Sequence, residues 1–163
     1  MMGPIQNPRQ HAKVRALIED ARSQGATVHS GASIPVDGRG NFQALSVVTG
    51  IGDGIRLVDE EQFGPVLPVI AYDDVDNAIE RANRLPLGLG ASVWSSDPER
   101  AVALAGRLEA GTVWINQHGA IHPMVPFGGS KGSGYGSEFG VEGLKAVSAA
   151  RVISLKKSYA ARQ

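Results

Sequence analysis

The sequence predicts an α/β protein: three layers, a mainly parallel sheet and right-handed β-α-β crossovers. Two observations carry that prediction. From Val66 to Asn116, apolar runs of strand length alternate with stretches of helical periodicity, and parallel strands require such crossovers. From Pro126 to Gly140 the chain reads P-F-G-G-S-K-G-S-G-Y-G-S-E-F-G, with six glycines in fifteen residues. That density implies backbone in conformations a Cβ forbids, or backbone lying very close to something else. Glycine-rich loops at the edge of an α/β sheet are where cofactors and substrates usually sit.

The elements follow in order. Asn7 is a good helix cap and Pro8 suits the first helical position. Val14, Leu17, Ile18 and Ala21 then fall at helical spacing, and Gly25 is a natural stop. Residues 29–41 carry Gly31, Pro35, Asp37-Gly38 and Gly40, and read as an exposed loop. Phe42 to Val48 and Ile55 to Val58 read as short extended segments around the glycine turn at 50–54. Val66 to Tyr72 is a strand. Asp73 and Asp74 cap a helix with Val75, Ala78, Ile79 and Ala82 on one face.

Gly90 to Trp94 is the next strand. Ser96-Asp97-Pro98-Glu99 opens a helix with Ala101, Leu104, Ala105 and Leu108 on one face, ended by Gly111. Thr112 to Asn116 is a third strand. A short helix near Glu138 to Val147 follows the glycine-rich block. The alternation in Arg151 to Lys156 predicts a final strand.

Composition narrows the function. A length of 163 residues suits one domain with a real core, and no boundary is evident. Sixteen basic residues balance sixteen acidic ones, so no global field favours nucleic acid or an anionic membrane. No apolar run approaches the roughly 18 residues of a membrane span. The N-terminus lacks the basic and apolar regions of a signal peptide, so the expected location is cytoplasmic. The sequence contains no cysteine, which excludes disulfides, zinc thiolates and thiol catalysis from these residues.

The generic motifs fail first inspection. Gly134 and Gly136 have the first spacing of G-x-G-x-x-G, but Phe139 takes the third place. Lys131 follows Ser130 and not glycine, so the block is no Walker A loop. His118 and His122 stand four apart, yet Gly119 and Pro123 argue against a helix, and loop histidines are expected in place of a metal site. Glu60 and Glu61 are adjacent. In extended backbone they point to opposite faces, so only one of them enters a given site.

Four blocks, in order, change the reading. Glu60-Glu61-Gln62-Phe63-Gly64-Pro65-Val66 resembles the E-E-x-F-G-P-V signature of the aldehyde dehydrogenase superfamily. Pro126 to Gly134 resembles its P-F-G-G-x-K-x-S-G block, with Glu138 and Gly140 continuing the pattern. Between them, Gly88-Leu89-Gly90-Ala91-Ser92-Val93-Trp94 and Gly111-Thr112-Val113-Trp114-Ile115-Asn116 also fit. The resemblance covers essentially the whole chain and implies the C-terminal part of that family's catalytic domain. Residues 1–148 would be a partial catalytic domain, and residues 149–163 a terminal strand and tail serving oligomerisation.

The resemblance also implies what the stretch omits. In the family, the nucleotide-binding domain, the general-base glutamate and the nucleophilic cysteine lie upstream of the matched region. The cysteine thiolate attacks the aldehyde, hydride leaves for NAD or NADP, and activated water releases the acid. A thiolate is required because it is nucleophilic near neutral pH. No catalytic residue is therefore assigned here.

Glu61 is expected to accept hydrogen bonds from the ribose next to nicotinamide, and Phe63 to pack near nicotinamide. Phe127, His118, Ile121 and His122 are candidates for the aldehyde channel, with plain surface as the alternative for the loop residues. NAD or NADP binding by the isolated chain is expected to be weak or absent. The expected partners are an N-terminal half, a full-length relative or further copies of the chain. A non-catalytic oligomerisation or regulatory module is the alternative function.

Overall fold

Asn7 starts the first helix as its spacing predicts. In the computed structural model, which describes residues 3–31 and 40–156, the Asn7 side chain accepts from the Gln10 amide at 2.8 Å. Helix α1 spans Pro8–Ser23 and buries Val14, Leu17, Ile18 and Ala21. Each large apolar side chain withdrawn this way contributes roughly 1.5–3 kcal/mol. Gly25, at φ 92°, turns the chain out of the helix.

The described chain divides at Arg81 into two units, a division not apparent in the sequence. The first holds α1, β1 (Thr27–Ser30), β2 (Ser46–Thr49), α2 (Arg56–Asp59) and β3 (Val66–Pro68). Strand β1 pairs antiparallel with β2, and β2 pairs parallel with β3. Ile5, Leu17, Val48, Ile51, Leu57 and Val66 are among the core residues of this unit.

Four local expectations change here, the first being the strand expected from Val66 to Tyr72, which ends at Pro68. Strand β1 runs to Ser30, into the segment read as loop, because His29 and Ser30 pair with Val47 and Ser46. Gly31, Gly40 and Asn41 lie in neither helix nor strand, as expected of that loop, and residues 32–39 lie outside the described residues. The extended reading of Phe42 to Val48 holds as a strand only from Ser46. Ile55 to Val58 is not extended: the Val58 and Asp59 amides both bond to the Ile55 carbonyl, at 2.8 and 3.1 Å. That helical turn drives Leu57 into the core and places Arg56 beside Glu60. An ion pair one turn apart favours helix over strand.

Helix α3 (Val75–Arg84) follows, with the Asp76 amide bonded to the Asp74 side chain at 3.0 Å. None of its residues is fully buried, and Ala82 of its expected apolar face is exposed. The second unit contains β4 (Leu87–Gly88), β5 (Gly90–Val93), α4 (Pro98–Ala105), β6 (Thr112–Ile115), β7 (Ser130–Lys131) and α5 (Gly140–Ala146). Strands β5 and β6 are parallel and joined through α4, giving the expected β-α-β unit. Asp97 caps α4 through the Arg100 amide at 3.0 Å. The helix stops at Ala105 with Gly106 as its cap, earlier than the expected Gly111.

β4 pairs antiparallel with β7. The architecture is thus mixed α/β with parallel β-α-β connections, and β3 and β5 belong to separate ladders. The expected strand at Arg151 to Lys156 does not form; these residues are exposed and carry no ladder. Alternation gives a strand only where a neighbouring backbone completes its hydrogen bonds.

The glycine-rich block packs closely on neighbouring backbone. A Cβ on Gly111 would overlap the Gly128 carbonyl, and one on Gly128 would lie 2.6 Å from the Gly136 oxygen. Lys131 adopts φ 55°. Its ammonium donates to the carbonyls of Asn83 and Leu85 and pairs with Glu109 at 2.9 Å. It is a bracket for the block.

Candidate functional site

The segment from Glu60 to Gly64 is a strap held down by α1. Lys13 Nζ donates to the Glu61 carbonyl at 2.7 Å, and Gln10 Nε2 donates to the Gln62 carbonyl at 2.6 Å. Gln62 Nε2 in turn donates to the Val66 carbonyl at 2.9 Å. Gly64 lies directly over Val14, where any Cβ would collide with the valine methyls. Pro65 and Val66 are buried behind it.

This strap separates two carboxylates that are equivalent in sequence. Glu60 accepts from Arg56 Nε at 2.7 Å and faces Lys13 Nζ at 3.9 Å. The Arg56 hydrogen bond holds the Glu60 carboxyl below its ordinary value. Glu61 is exposed, and among the described residues its carboxylate has no hydrogen bond or ion pair. Phe63 sits at φ 47°, a left-handed conformation unusual for a bulky residue, with 70% of its surface exposed. An ionised carboxylate is acceptor-only, so Glu61 suits a ligand presenting hydroxyls. Phe63 offers an open ring for a flat partner. The residues present therefore fit the ribose and nicotinamide assigned to them from the family resemblance. The roles of Gln10 and Lys13 were missed in the sequence, because their bonds to the strap span 52 and 48 residues.

Of the other predicted residues, His118 and Phe127 meet Trp114 in the second unit. The His118 ring meets the indole edge-on at 5.0 Å between centroids, and Phe127 lies tilted at 6.4 Å. Phe127 is half-buried and fixed by two backbone bonds with Glu138, both 2.8 Å. Ile121 and His122 are exposed. His122 Nδ1 accepts from the Met124 amide at 3.2 Å, so the two loop histidines are engaged separately. A groove of about 570 Å³ lined by Arg15, Arg22, Gln43 and Ser46 contains none of the predicted site residues.

These features define an α/β domain with a carboxylate-and-ring strap in one unit and an aromatic cluster beside a glycine-rich block in the other. The profile of the Aldehyde dehydrogenase family matches residues 1–153, and the chain belongs to that family. It is 40% identical over 146 residues to betaine aldehyde dehydrogenase of Rhizobium etli, covering 88% of this chain and 30% of the relative. It is 36% identical over 156 residues to aldehyde dehydrogenase, cytosolic 1, of Rattus norvegicus, covering 96% and 31%.

Among solved structures, a mutant of aldehyde dehydrogenase C from Pseudomonas syringae, in complex with NAD+ and octanal, aligns with TM-score 0.80 at 39% identity. That match covers 88% of this chain and 30% of the other. The chain spans between 28% and 31% of the length of the curated relatives it matches.

Proposed function

We propose that this chain is the C-terminal portion of an NAD(P)-dependent aldehyde dehydrogenase that converts aldehydes to carboxylic acids. The observation that carries the reading is the strap. Of two adjacent glutamates, one is consumed by Arg56 and Lys13, while Glu61 is exposed, next to an exposed phenylalanine, and its carboxylate has no partner among the described residues. When bound, the nicotinamide cofactor accepts hydride. Glu61 accepts from its ribose hydroxyls, and Phe63 flanks its ring. Phe127, His118, Ile121 and His122 shape the aldehyde side.

The 163 residues contain no thiol, so by themselves they supply the wall and not the nucleophile. An N-terminal portion bearing the cysteine and the nucleotide-binding domain is the partner this reading needs. The cytosolic name of the rat relative supports a cytoplasmic location.

The assignment is tested by titrating NAD+ into isotope-labelled chain and following backbone amide shifts. Weak binding with shifts centred on Glu61 to Gly64 is expected. Tight binding, or detectable binding whose shifts spare this segment, contradicts it.

A second reading, a non-catalytic oligomerisation module, is favoured by one observation: Val152, Ile153 and Leu155 are exposed at 88%, 82% and 88%. Removing residues 151–163 then changes the oligomer seen by gel filtration. An unchanged elution position counts against it.

A further inference from the structure

We propose that Trp114 is the positioning residue for the aldehyde-lining loop 117–123, fixing that loop's shape before any substrate arrives. The inference rests on the reading above that this loop faces the aldehyde.

Trp114 belongs to β6, and only 8% of its surface is exposed. Its indole Nε1–H donates to the Ala120 carbonyl at 2.7 Å. The donor and acceptor are six residues apart, so the chain must fold back over the ring. Two left-handed residues allow the reversal: Asn116 at φ 53° and Gly119 at φ 71°. Asn116 is itself anchored, accepting from the Ser95 amide and donating to its carbonyl, both at 2.8 Å.

The indole cannot retreat from the loop. A Cβ at Gly90 on the neighbouring strand β5 would lie 2.6 Å from the indole carbon Cζ3, so bare backbone closes that side. The ring also meets His118 and Phe127, at centroid separations normal for aromatic pairs. One buried side chain thus contacts two of the four residues assigned to the aldehyde, and tethers the carbonyl just before a third, Ile121. Lining residues hold a productive geometry only when the groups behind them are locked. Trp114 supplies that lock without lining the channel itself.

Two arms test the proposal. In the full 163-residue chain, the indole N–H of Trp114 should exchange with solvent far more slowly than that of Trp94, which is 67% exposed. Trp114→Phe keeps a ring and removes the donor. It should speed amide exchange selectively in 118–122, by about three- to tenfold, the range set by one net hydrogen bond.

In the second arm the chain is complemented with an N-terminal portion of a relative. There the same variant should change the ratio of kcat/KM between short and long aliphatic aldehydes while KM for NAD+ stays fixed. The tether is overturned if the Trp114 indole exchanges as fast as that of Trp94. It is also overturned if the variant leaves 118–122 unchanged, or loosens the second unit evenly. Should the variant not fold, the unmodified chain's indole exchange still decides the tether. A slow indole with unaltered aldehyde ratios overturns the selective role. A slow indole in a complemented pair with no aldehyde activity locates the failure in the aldehyde dehydrogenase reading.

Discussion

Glu60 and Glu61 look alike in sequence, and their surroundings give them different work. Changing Glu61 to Gln in a complemented enzyme should raise KM for NAD+ by about tenfold or more, the scale of one charge-assisted hydrogen bond, with the melting temperature unchanged. Glu60→Gln should do the reverse, loosening the strap and lowering the melting temperature. Steady-state kinetics paired with thermal melts separates the two.

Glu60 also sets a pH dependence. Its carboxyl titrates below the usual glutamate range because it accepts from Arg56. A depressed carboxylate stabilises the folded state above its unfolded value, and that contribution is lost as pH falls through the folded one. Arg56→Met should move the Glu60 titration upward, as read by NMR of the side-chain carboxyl. An unmoved midpoint contradicts the pairing. The sequence shows both glutamates but not their division of labour, because Arg56 reaches Glu60 only through a helical turn that four apolar-flanked residues do not advertise.

Among the elements, legibility followed local chemistry. Asn7-Pro8 and Asp97-Pro98 mark α1 and α4 because a cap and a fixed φ act within one turn. The buried face of α1 was equally plain, since helical spacing alone selects Val14, Leu17, Ile18 and Ala21. Leu17→Ala should cost about 2–5 kcal/mol in the first unit, measured by denaturant unfolding.

Segments whose state depends on distant partners depart from their local pattern. Ile55 to Val58 coils because Leu57 finds the core, and Arg151 to Lys156 stays unpaired for want of a neighbour. The glycine-rich block is the close-approach loop its composition predicts, and Gly111 makes the point testable. Gly111→Ala should disrupt the block, because no side chain can yield where the obstacle is the Gly128 carbonyl. Loss of amide protection across 126–140 is the expected result.

For the molecule as a whole, the balance of buried and exposed apolar surface is the informative quantity. Among the described residues of the second unit, only Ala101 and Trp114 are buried apolar side chains. Trp94, Met124, Leu144, Val147 and Leu155 are all well exposed. Exposed apolar side chains in this number favour association. The isolated chain should therefore self-associate, and a strictly monomeric species in light scattering would contradict that.

The proposal that these residues contribute to an aldehyde dehydrogenase site stands or falls on complementation. Its most direct test mixes the chain with an N-terminal portion of a relative that carries the nucleophilic cysteine, and follows NADH absorbance on adding an aldehyde. Aldehyde-dependent NADH formation well above either portion alone is the predicted result, diminished by Glu61→Gln. A rate no greater than the separate portions, with both shown to be folded and associated, would contradict the claim.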